Sequence, residues 1–167
     1  ATATANPLNN NNFCADCSII MLSSGANSFD SDELSNAAGM PGLASASDVR
    51  AVTDAVAALE SISGSYVIST DSATSNSDDG YCTSKTVSSL STVEGVCPEV
   101  PKMEGGYNVA GLAYHAKTTD MRIDSGMDEE QTINTFAVEL SEALPKFSVG
   151  ASNKLIELTP ACESKSG

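Results

Sequence analysis

Five cysteines stand at positions 14, 17, 82, 97 and 162, and a single histidine, His115, lies far from any cysteine pair. That ratio sets the first limit on the fold. A structural zinc site needs clustered Cys and His at fixed spacings, and one isolated imidazole meets none of them. The thiols are therefore available for cross-links. Cys82 and Cys97 bracket a Ser/Thr-rich segment of hairpin length, and closing a loop of that size is worth about 3 kcal/mol in the chain-entropy model. This pair is the expected bridge. Cys162 follows the last expected strand and could reach Cys14 or Cys17 if the terminal strands are neighbours, which leaves one thiol unpaired within the chain. In an exported protein an odd thiol means a free cysteine or a bond to another subunit.

Cys14-Ala15-Asp16-Cys17 has the bare C-x-x-C spacing, but redox chemistry needs a thiolate stabilised at a helix N-terminus. The residues that follow, Ser18-Ile19-Ile20-Met21-Leu22, are an apolar, β-branched run that reads as a strand. Asp16 between the sulfurs opposes a thiolate as well. Haem attachment fails because Ser18 stands where a histidine is required.

Charge narrows the partners. Twenty-two Asp and Glu against eight Lys and Arg give a formal charge of -14, a field that repels phosphate backbones and anionic headgroups. Nucleic acid is excluded as a partner on this ground. No apolar run reaches the length of a membrane-spanning helix. The start Ala1-Thr2-Ala3-Thr4-Ala5 resembles a mature end left by cleavage of an export signal at small residues. An extracellular or otherwise exported location is expected.

Residues 1–12, ending in four asparagines, carry little that can be buried and read as a polar N-terminal arm. One α+β domain is expected over 13–167. Its strands are expected at 17–23, 65–70, 107–123 (interrupted) and 154–159, with a strand or hairpin within 81–97 and a long decorated loop over 24–46. A helix is expected from Asp48 to Ser61, capped by Ser47 and ended by Ser63-Gly64, because Val49, Val52, Val56, Leu59 and Ile62 recur at spacings of three and four. A second is expected to start at Ser125 to Asp128, to bury Ile133, Phe136, Ala137, Leu140 and Leu144, and to stop at Pro145. The order strand, helix, strand in each half predicts a ferredoxin-like split β-α-β fold, an antiparallel sheet with two helices on one face. SEA domains are similar in this strand and helix order.

The catalytic templates fail one by one. His115 is the sole possible imidazole base, yet no G-x-S-x-G turn presents a nucleophile, and the residue is expected on a strand, at an edge or facing solvent. No glycine pattern forms a phosphate loop. Twenty-two carboxylates supply so many pairs that none can be selected as a glycosidase dyad. The chain is read as a non-enzyme, with a carboxylate site of unrecognised pattern as the catalytic alternative. Two loops offer the oxygen donors that Ca²⁺ prefers: Asp30, Asp32 and Glu33 in one, Asp78 and Asp79 in the other. Neither has EF-hand spacing, and a Ca²⁺ or small-ligand binding module is the second reading. The first is a structural or interaction subunit of an extracellular assembly, of filament or surface-layer type, that self-associates through the arm or an unpaired cysteine.

Overall fold

The computed structural model describes residues 16–23, 31–71, 80–97, 101–102, 104–123, 129–140, 147–151 and 154–158. Its strands are β1 (Cys17–Ser23), β2 (Gly64–Ile68), β3 (Thr70–Asp71), β4 (Thr83–Val87), β5 (Val93–Glu94), β6 (Ile133–Glu139), β7 (Phe147–Ala151) and β8 (Lys154–Leu158). The helices are α1 (Ala46–Leu59) and α2 (Asn108–Thr118), with single 3-10 turns at Leu34–Ala37 and Leu90–Thr92. The mixed α+β class holds. The expected single antiparallel sheet does not appear, because the described strands lie in four two-stranded pairs: β1 with β6, β2 with β4, β3 with β5 and β7 with β8. The first pair is parallel, in register from Cys17 opposite Ile133 to Ser23 opposite Glu139. Parallel neighbours require a crossover, and here both helices lie within that connection.

Helix α1 starts at Ser45 rather than Ser47. The Asp48 carboxylate reaches back one turn and accepts hydrogen bonds from the Ala44 amide at 2.9 Å and the Ser45 hydroxyl at 3.0 Å. These donors hold the Asp48 carboxyl below its usual value, the Ala44 amide most of all. The helix stops in a Schellman turn: Ser61 adopts φ 57°, the Ile62 amide donates to Ala57 O at 2.8 Å and the Ser61 amide to Ala58 O at 3.2 Å. The buried face of α1 is Val49, Thr53 and Ala57. Leu59, expected in the apolar stripe, is exposed.

Residues 108–118 form a helix where an interrupted strand was expected. The reason lies opposite Thr53. A Cβ on Gly111 would come within 2.2 Å of Thr53 Oγ1 and 2.7 Å of Thr53 N, so α2 can approach α1 this closely only with glycine at the crossing. Asn108, almost fully buried, completes the contact. Its Oδ1 accepts from Thr53 Oγ1 at 3.1 Å and its Nδ2 donates to Ser31 Oγ at 3.2 Å. Around this contact sit Leu34, Leu43 and Val49, with Leu112 packed against them. Two of those core residues come from the segment expected to be mere decoration.

The second expected helix is also corrected. Ile133, Phe136, Ala137 and Leu140 belong to β6 and the residue after it, and Phe136 and Leu140 are exposed. The expected start at Ser125 to Asp128, together with Leu144, Pro145 and the arm of residues 1–12, lies outside the described residues. Strand β6 is anchored at its start by Asp120, which accepts from the Gln131 and Arg122 amides at 3.0 Å each. Those two donors, Gln131 first, hold its carboxyl below the usual value.

Candidate functional site: adjoining apolar and polar clefts

Helix α1 ends where β2 begins, and two clefts meet at that junction on Ile62, which lines both. The first has a volume of about 310 Å³. Its floor is apolar and buried, built from Ile68, Val87, Leu90 and Val93. Its rim carries Tyr66 and Tyr107, each roughly two-fifths exposed at 43% and 42%. Tyr66, Val67 and Ile68 all line it although they are consecutive on β2. Successive strand residues face opposite sides of a sheet; three in a row on one cleft means that the cleft follows the edge of the strand.

The second cleft, of about 420 Å³, is polar. Ser61, Ser63 and Ser88 line it with Asp54, the single charged group there among the described residues. The Asp54 carboxylate accepts from the Ser91 amide at 3.0 Å, from Ser91 Oγ at 3.1 Å and from Ser89 Oγ at 2.9 Å. Three of about four lone-pair positions are thus occupied. Arg50, one turn earlier on α1, donates from its guanidinium to Ser91 O at 3.0 Å.

A disulfide joins Cys82 to Cys97, as expected, with Cα atoms 5.5 Å apart. The closed loop contains Val87, Leu90 and Val93 of the apolar floor and both serines that hold Asp54. Next to it, Lys85 Nζ donates to Ile68 O, Ser69 O, Gly80 O and Thr83 Oγ1, so one ammonium gathers the end of β2 and the start of β4. Gly95 allows the chain to close behind: its amide donates to Gly105 O at 2.8 Å, and a Cβ there would lie 2.5 Å from Pro101 O.

The residues singled out from the sequence are scattered. Cys17 is a free thiol, half-buried at the start of β1; Cys14 and Cys162 lie outside the described residues, as do Asp30, Asp78 and Asp79. Asp32 and Glu33 are exposed on a turn, where Glu33 accepts from Asn36 Nδ2 at 2.9 Å. No group of three metal-ligating side chains occurs among the described residues. His115 is on α2 rather than a strand and is buried. Its Nε2 donates to Pro41 O at 2.7 Å and its Nδ1 accepts from Thr119 Oγ1 at 3.3 Å, which fixes the tautomer and pins the Met40-Pro41-Gly42 turn. The histidine is structural. Asp54, Tyr66 and Tyr107 were not singled out. Their only signal was local: a carboxylate five residues before the end of α1, and tyrosines just after Ser-Gly and Gly-Gly breaks.

Among the described residues no helix is long and apolar enough to cross a membrane. No solved structure matches this chain. It is 35% identical over 92 residues to the type IV pilus biogenesis factor PilY1 homolog of Xylella fastidiosa (strain Temecula1), an alignment covering 55% of this chain and 6% of that relative. The family described as PilY1 homolog, second domain, matches residues 1–116, a span that holds both clefts, the disulfide and most of α2. The chain belongs to the family of PilY1-homolog second domains.

Proposed function

We propose that this chain is a non-catalytic recognition module of an exported, pilus-associated protein, and that the paired clefts are the face it presents to another component. Membership of the PilY1-homolog second-domain family carries the reading, because that family is named for a pilus factor and for no reaction. The clefts supply what such a module needs, a preformed apolar recess with aromatic rims and one oriented polar group. In the aligned relative the matching region is 6% of the chain, one part of a much longer protein. The test is removal of residues 1–116 from the protein, with surface pili counted by electron microscopy. Loss of pili with the protein still exported supports the role. Unchanged piliation and twitching would sink it.

A second reading, self-association, is favoured by β1 and β6. Ile20, Leu22, Phe136 and Leu140 are all more than half exposed on this ribbon, and Cys17 stands free at its start. Sedimentation velocity with and without reductant distinguishes monomer, apolar dimer and disulfide-linked dimer.

A further inference from the structure

We propose that the two clefts together bind an extended peptide segment of a partner protein, one that places an apolar side chain in the tyrosine-rimmed cleft and a lysine or arginine beside Asp54. The proposal deepens the recognition role by naming the chemistry of the partner. Three observations carry it. Tyr66, Val67 and Ile68 line the apolar cleft in succession, so an occupant lies along an edge of β2; among the described residues β2 pairs with β4 alone. A strand edge with an apolar recess beside it accepts an extended segment by backbone hydrogen bonds and reads alternate side chains. Ile62 is common to both clefts, which puts the Asp54 carboxylate next along the same path.

The sign of the second side chain follows from charge. Among the described residues Asp54 is the only ionic group lining the polar cleft, its three protein donors are all neutral, and about one lone-pair position remains for a ligand. The whole chain, at -14, attracts a cationic segment over distance and repels an anionic one. Ser61, Ser63 and Ser88 add hydroxyls able to solvate an ammonium head, while the rims of Tyr66 and Tyr107 suit an aliphatic or aromatic side chain.

The experiment uses the full 167-residue chain and a fluorescein-labelled hexapeptide amide, Thr-Lys-Thr-Phe-Thr-Val, whose Lys, Phe and Val share one face when extended. Saturable binding by fluorescence polarisation is expected. Exchange of Phe for Ser, or of Lys for Glu, is expected to weaken it by tenfold or more. In the protein, Tyr66→Ala weakens the Lys and Glu peptides alike, whereas Asp54→Asn removes the preference between them. Because Asp54 also holds Ser89 and Ser91, Ser63→Lys provides an independent variant on an exposed residue. It should reverse the preference toward the Glu peptide, with an unchanged circular dichroism spectrum. Amide shifts in an NMR titration should fall within 61–68 and 87–93. Absence of saturation at millimolar peptide, equal binding of the Lys and Glu peptides by the native chain, or shifts confined to β1 and β6 would each overturn the proposal. Piliation is scored separately in cells, so peptide binding can fail while the pilus role stands, and the reverse.

Discussion

Two residues show how much of this fold rests on backbone conformation that composition does not reveal. Ser61 ends α1 in the left-handed region at φ 57°, where a residue with a Cβ costs about 1–2 kcal/mol and glycine does not. Ser61→Gly should therefore raise stability by about 0.5–1 kcal/mol, seen as a higher urea midpoint with unchanged slope. Gly111 gives the opposite sign. In an ordinary helix interior alanine gains about 1 kcal/mol over glycine, but here the added methyl meets Thr53 N at 2.7 Å and Thr53 Cα at 2.8 Å. Overpacking of about 1–3 kcal/mol wins, so Gly111→Ala should lower the urea midpoint. Adding Thr53→Ala, which removes the hydroxyl, should not restore it, because the clashes with Thr53 N and Cα remain.

At the scale of elements, the pairings that depend on sequence neighbours were legible, and those that depend on distant chain were not. Strand β1 and helix α1 announced themselves by a β-branched run and a helical stripe, although packing selected Val49, Thr53 and Ala57 over the more apolar Leu59. Helix α2 was missed because its buried side is Asn108, Gly111, His115 and Ala116, a set without an apolar stripe to detect. The apolar residues of β6 fall by accident at spacings of three and four, and parallel strands carry them on both faces, which erases the alternation that marks a strand. Neither cleft was legible, since Ile62, Val93 and Tyr107 meet only once α1, β5 and the start of α2 are in place. The caps make a pH-dependent prediction for these elements. Asp48 and Asp120 each have a folded pKa depressed below the ordinary 3.8. Their stabilisation is full above that value and is lost as pH falls through the lower folded value. Asp48→Asn should accordingly lower the thermal midpoint at pH 7, and the gap from the native chain should close as acid protonates the native carboxylate. Calorimetry from pH 7 down to about pH 2 follows both limbs.

For the whole molecule, the disulfide links oxidation to the two clefts. The crossing of the helix pair is held by Thr53, Asn108 and Gly111, outside the loop that Cys82 and Cys97 close, and the hydrogen bonds of Arg50, Asp54 and Asn108 meet that loop at its Ser89 and Ser91. The apolar floor depends on the two cysteines, since Val87, Leu90 and Val93 all lie within the loop that the bond closes. So do Ser89 and Ser91, which orient Asp54. The bond spans 15 positions, and removing it should cost about 2–4 kcal/mol, chiefly by freeing the unfolded chain. The loss should be uneven, because local opening starts where fewest other contacts remain. In Cys82→Ser/Cys97→Ser, hydrogen exchange should therefore quicken across 83–94 before it does across α1 and α2, and affinity for the lysine-bearing peptide should fall while helical ellipticity persists. Uniform exchange through both regions, with clefts and helices lost together in one transition, would instead mean that the disulfide stabilises the domain globally and has no particular hold on its clefts.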